Sequence, residues 1–135
     1  MRKATELKPD EASAHNNLGL SYFENEDFSE ALQSYSLAIA KETTEVTEKN
    51  ANPENLSFYH KNRGLALYHQ GEMEDAKHDY DLAIDYNPAN ADNYFNRGNV
   101  FLNQSDFKNA HRDFDKSIDL ENNNAKFYHA KGLAF

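Results

Sequence analysis

Large apolar side chains recur at spacings of three and four through residues 57–70 and 91–104, not at the spacing of two that a strand requires. That period gathers one apolar face on a helix. A turn signal follows each stretch, Gln70-Gly71 and Gln104-Ser105, and Asn25-Glu26 marks the same place in an earlier copy. A second amphipathic stretch then starts near Phe28, Met73 and Phe107. Gly71 suits a helix end because it takes the left-handed conformation without steric cost. Pro88 follows Asn87, where proline stops one helix or starts the next. The pattern predicts seven helices after an N-terminal tail, near 11–24, 28–48, 54–70, 73–86, 90–103, 107–120 and 124–135, each antiparallel to its neighbours.

The pattern itself repeats. Gly64, Gly98 and Gly132 stand 34 residues apart. Four residues before each glycine is a ring (His60, Tyr94, Tyr128), and three after is a large apolar residue (Leu67, Phe101, Phe135). Ala76 and Ala110 come twelve after, Tyr80 and Phe114 sixteen after, Ala83 and Ser117 nineteen after. Twenty-four after stand Pro88 and Asn122. The same template laid on Gly19 gives His15, Tyr22, Ala31, Tyr35 and Ala38, with Thr43 in the proline slot. A fixed period of this length signals stacked supersecondary units, each leaning on its neighbour to bury its apolar face. Small residues at Gly64, Ala76 and Ala83 let two helices approach closely, and the rings fill the space beside them. In these slots, from Ala4 to Phe135, the chain resembles the tetratricopeptide repeat family. The resemblance implies an all-α, right-handed solenoid of antiparallel helix pairs. Residues 1–11, with Ala4 and Pro9, would close a preceding repeat; 12–45, 57–90 and 91–124 would be full repeats; 125–135 would be the first helix of a truncated one. On that division the segment reads as an excerpt of a longer array.

Two departures from the template are informative. Gly19 and Gly64 are 45 residues apart, so eleven, Val46 to Leu56, are inserted between the first and second repeats. Ala38 to Glu48 contains no glycine or proline, so the second helix can run on, and Asn52-Pro53 reads as a cap followed by proline at the first helical position. The insert is then either a longer helix pair with a tight loop at its tip or a protruding contact point. The second departure is in charge. Immediately before the glycines stand Arg63, Arg97 and Lys131, where the first copy has Leu18. Fifteen after stand Asp79 and Asp113, where the first copy has Ser34. Both slots lie near the apolar seam of a repeat, where an isolated charge is prohibitive. Their joint variation predicts structural ion pairs Arg63–Asp79 and Arg97–Asp113, each within its own repeat. The competing scheme pairs Asp79 with Arg97 and Asp113 with Lys131 across repeat boundaries.

Composition narrows the function classes. Fourteen basic against 23 acidic side chains leave a formal charge of −9, and without a basic cluster nucleic acid is not the expected partner. No apolar run approaches a membrane span and no signal segment opens the chain, so no membrane association is expected. The absence of cysteine excludes a disulfide framework, a thiolate metal site and a cysteine nucleophile. It fits a reducing, cytoplasmic location, with a cytoskeletal or other large intracellular assembly as one setting. There is no glycine-rich phosphate loop, nucleophile elbow or His-Glu metalloprotease pair. His15 and His60 occupy the ring slot, and His60, His69 and His78 are nine apart, a spacing that does not set two rings on one helix face. The expectation is a chain that is no enzyme, with no cofactor, no metal and no small-molecule substrate.

The family resemblance implies a protein or peptide partner and says where it would sit. In such arrays the first helices line a concave groove, with groove-facing side chains six, three and two before the glycine and one after it. On this chain those slots supply Asn17, Phe58, Lys61, Asn62, Leu65, Phe95, Asn96, Asn99, Lys126 and His129 as candidate partner-binding residues, and the same slots also hold Ser13, Asn16, Leu20, Asp92, Ala130 and Leu133. An asparagine-rich groove can bond an extended peptide backbone without strict sequence choice. One specialised groove, the carboxylate clamp for acidic C-terminal tails of heat-shock chaperones, uses Lys and Asn, then Asn, then Lys and Arg. Lys61, Asn96 and Lys126 match that pattern, while Leu65 and Ala130 depart from it. The departures matter because a terminal carboxylate is held by convergent charge-assisted bonds. Three readings stay open: a groove that binds a partner's segment, a purely architectural stretch of solenoid in a large assembly, and a co-chaperone with a partial clamp. Self-association through the truncated repeat ends is a further expected contact.

Overall fold

A computed structural model describes residues 10–44, 52–121 and 124–133. Among them run seven helices: α1 (Asp10–Glu24), α2 (Phe28–Thr44), α3 (Pro53–His69), α4 (Met73–Tyr86), α5 (Ala91–Asn103), α6 (Phe107–Leu120) and α7 (Ala125–Leu133). No strand occurs among the described residues. Each helix packs on the next in sequence, and α1, α3 and α5 also touch in succession, so the pairs α1–α2, α3–α4 and α5–α6 stack into an all-α solenoid. Helix ends fall within about a residue of the sequence expectations. The expected continuation of α2 through 45–48 and the tip of the insert lie outside the described residues. So do most of the N-terminal tail and residues 134–135.

Each pair turns in three residues with the same geometry. Glu26, Gly71 and Ser105 take positive φ of 66°, 83° and 61°. In the middle pair the Glu72 N–H reaches the Leu67 carbonyl at 2.9 Å and the Gly71 N–H reaches Tyr68 at 3.0 Å. The same two bonds recur from Asp27 and Glu26, and from Asp106 and Ser105. This is a Schellman close, and only one of the three copies uses the residue that adopts it without strain. Ser105→Gly is therefore expected to stabilise the fold by about 0.5–1 kcal/mol, read as a higher urea midpoint with unchanged slope.

Inside each pair a glycine of the first helix lies against a ring of the second. A Cβ built on Gly19, Gly64 or Gly98 would come within 2.5, 2.6 and 2.5 Å of Tyr35, Tyr80 and Phe114 respectively. Those rings are buried, as are Ala31, Ala76 and Ala110 one turn before them. Gly98→Ala gains about 1 kcal/mol of helix propensity but forces a ring that has nowhere to go, at about 1–3 kcal/mol. A net loss of up to about 2 kcal/mol is expected in thermal or urea unfolding.

Buried polar contacts fix the pairs further. Ser57 Oγ donates to the Ala83 carbonyl at 2.7 Å. In the next pair the same contact runs in reverse, Ser117 Oγ donating to the Ala91 carbonyl at 3.0 Å. At the start of α3, Asn52 caps the helix by accepting from Glu54 and Asn55 N–H at 2.9 and 3.2 Å, with Pro53 at the first helical position. Glu42 of α2 accepts the Asn52 N–H at 3.0 Å, which joins the two sides of the insert.

Candidate functional site

The arginines preceding Gly64 and Gly98 do two jobs. Arg63 grips Asp79 with both edges of its fork, Nε to Oδ2 and Nη2 to Oδ1, each at 2.8 Å. Arg97 holds Asp113 the same way, at 2.8 and 2.9 Å. Both carboxylates are almost fully buried, whereas the arginines keep about a quarter of their side chains exposed, 26% and 24%. The third nitrogen then reaches back to the preceding pair: Arg97 Nη1 to Asp81 at 2.9 Å, Arg63 Nη1 to Ser36 Oγ at 3.1 Å. Among the described residues Lys131 makes the backward contact alone, to Asp115 at 2.8 Å. The across-boundary scheme of the sequence reading thus has the right idea with the wrong carboxylates: residues seventeen after each glycine receive the contact, not those fifteen after.

His60 adds to the Arg63–Asp79 cluster. Its Nδ1 lies 2.9 Å from Asp79 Oδ1 and its ring stacks on Tyr86, so the ring slot here also carries a polar bond. Burial pushes the Asp79 carboxyl up, but hydrogen bonds from His60 and Arg63, with the Arg63 charge, outweigh it and hold the group below the usual carboxylate range. In the first pair Leu18 is 47% exposed and Ser34 is buried, so that copy dispenses with the pair.

On the first-helix side, Lys61 of α3 and Lys126 of α7 flank Asp92 of α5. Lys126 Nζ is 3.3 Å from Asp92 and lies 5.0 and 5.4 Å from the Phe95 and Phe127 ring centroids. Lys61 Nζ sits over Phe58, 4.7 Å from the centroid, and forms no ion pair among the described residues. Burial lowers its pKa, the Asp92 charge partly offsets this, and the Lys126 charge lowers it further. Phe58 is 43% exposed beside it. Phe95, Leu65, Asn96 and Asn99 are half-buried, while Asn17 and His129 are exposed. Asn62 stands apart from the exposed candidates: it is buried, and its amide donates to Asn16 Oδ1 at 2.9 Å, so it braces α1 against α3. Ala130 is buried too.

Family models match most of the sequence: one described as a tetratricopeptide repeat over residues 1–44, one as a TPR repeat over 64–105, and one as a tetratricopeptide repeat over 91–124. The chain belongs to the tetratricopeptide repeat family. Solved TPR structures share its fold. The Arabidopsis OM64 TPR domain aligns with a TM-score of 0.82 at 20% identity, over 94% of this chain and 96% of that one. The first TPR of Spaghetti (RPAP3), bound to the HSP90 peptide SRMEEVD, aligns at 0.79 and 22% identity over 93% and 90%. The Sgt2 TPR domain of Aspergillus fumigatus aligns at 0.78 and 22% identity over 92% and 76%. At these identities the likeness is one of fold. No curated protein sequence matches the chain.

Sequence reasoning overlooked three features of this TPR array. Ser36, Asp81 and Asp115 share one slot of the repeat, so register alone exposes the backward contacts once the helix pairs are stacked. A second row, Gln70 to Ser29 at 3.1 Å and Gln104 to Glu74 at 2.7 Å, has the same regularity. The His60–Asp79 bond carries no such signal, because its slot holds Tyr94 in the next copy. Among the described residues no group of acidic, histidine or cysteine side chains is arranged to hold a metal ion, and no helix is long and apolar enough to cross a membrane.

Proposed function

We propose that this TPR array is a non-catalytic interaction module that holds an extended, acidic segment of a partner protein across the faces of α1, α3, α5 and α7. The observation that carries the reading is Lys61: a desolvated ammonium beside an exposed ring, which forms no ion pair among the described residues and whose burial the Asp92 charge offsets only in part. An incoming Asp or Glu would supply the missing charge, and apolar neighbours in the segment would cover Phe58 and Phe95. Asn96 and Asn99 would bond the segment's backbone. The repeat divisions 12–45, 57–90 and 91–124 belong to the same proposal. Spaghetti (RPAP3) in complex with the acidic peptide SRMEEVD supports this choice of ligand by analogy of fold. Leu65 and the buried Ala130 remove two of the donors that would converge on a terminal carboxylate, which favours an acidic side chain within the segment over a free C-terminus.

The test is a fluorescence-anisotropy titration with a labelled ten-residue acidic peptide, its Gln-substituted counterpart, and its C-terminal amide. The acidic peptide should bind more tightly than the Gln version, and amidation should change little. Equal affinity of the acidic and Gln peptides would overturn the proposal.

A further inference from the structure

The backward contacts form a ladder whose rungs differ in one respect. At the two later junctions the cation meets a carboxylate, Arg97 on Asp81 and Lys131 on Asp115, at 2.9 and 2.8 Å. At the first junction Arg63 Nη1 meets, among the described residues, only the Ser36 hydroxyl, at 3.1 Å. The second row repeats the substitution, since Gln104 donates to Glu74 but Gln70 donates to Ser29. Ser36 is exposed and borders a cleft of about 300 Å³ whose lining includes Arg63, His78, Leu32, Leu67, Asp75 and Asp79. Asp79 is already neutralised by Arg63, and His78 also lines the cleft.

We propose that Ser36 is a phosphorylation site, and that its phosphate completes the first junction as the carboxylates complete the others. A protein kinase would transfer the γ-phosphoryl group of a nucleoside triphosphate to Ser36 Oγ. The γ-phosphorus–oxygen bond of the anhydride breaks, the Oγ–phosphorus bond forms, the hydroxyl proton passes to the kinase's base, and a nucleoside diphosphate leaves. The product carries a charge of about −1.5 to −2 and three acceptor oxygens opposite the Arg63 edge. Ser36 lies within α2, so the kinase acts on the first helix pair while it is open. Arrays of this kind open locally, because each pair is held only by its neighbours. The modification then holds the closed junction.

Three measurements on the full chain test this. Ser36→Asp should raise the thermal midpoint above that of Ser36→Asn by about 2–3 °C at low salt, with the gap shrinking at high salt. Equal midpoints would overturn the proposal. In the chain carrying phosphoserine at position 36, a ³¹P titration should find the second phosphate ionisation lower in the folded state than in urea, by about half a pH unit or more. A value equal or higher when folded contradicts it. Mass spectrometry of the chain, recovered with phosphatase inhibitors from the cells that produce it, should find phosphate on Ser36, and an unmodified Ser36 across growth conditions would also overturn it.

Discussion

Asp79→Ala is expected to destabilise the fold by about 3 kcal/mol, at the lower end of the usual 3–5 kcal/mol for breaking a buried pair. Asp79 is buried and satisfies both Arg63 and His60, so its removal strands two donors at once. The loss stays near the lower bound because Arg63 keeps a quarter of its side chain in solvent and can recover some hydration. Replacing both members, Arg63→Leu with Asp79→Ser, copies the Leu18 and Ser34 arrangement of the first pair and should recover most of the loss. Urea unfolding at neutral pH reads both variants. The pH dependence follows from the same cluster. The folded pKa of Asp79 lies below its unfolded value of about 3.9, so its contribution is fully present above that value and is lost as pH falls through the folded pKa. The wild-type chain should therefore lose stability more steeply on acidification than Asp79→Ala does. Parallel acid limbs would show that the carboxylate is not held by its partners.

The second large effect concerns the groove. Lys61→Glu is expected to weaken an acidic peptide by about tenfold or more, because the lysine it replaces is desolvated, is only partly offset by the Asp92 charge, and forms no ion pair among the described residues. Lys126→Glu should cost less, about threefold, since Lys126 is half-exposed and already engaged by Asp92. Both substitutions should flatten the salt dependence of binding, and neither should change the helical circular dichroism signal. Affinity that survives both changes would place the partner on another surface.

How far the sequence carries this picture depends on what each residue's signal is made of. The glycine register locates every helix pair because Gly19, Gly64 and Gly98 are required by the rings opposite, a steric demand that only residue type can meet. The Arg63–Asp79 and Arg97–Asp113 contacts are legible because both members change together when the first pair has Leu18 and Ser34. The left-handed turns at Glu26 and Ser105 are not legible from residue type, as neither is a glycine, but become so by register with Gly71. Groove position is where pattern runs out. Asn62 occupies a slot that faces a ligand in the family, yet here Asn16 lies within reach and captures its amide. A template of single positions does not describe such side-chain pairing between stacked helices. The same holds for Lys61 and Lys126, two lysines that sequence treats alike and that differ in whether Asp92 is spent on them.

The central claim, that a partner's acidic segment lies across the first helices, is tested most directly by mapping amide chemical shifts during a titration with the acidic peptide. The perturbed amides are expected to cluster on α3, α5 and α7, around Lys61, Asn96, Asn99 and Lys126, while the outer faces of α4 and α6 stay silent. Perturbations concentrated on α4 and α6, with Lys61 and Lys126 unmoved, would contradict it.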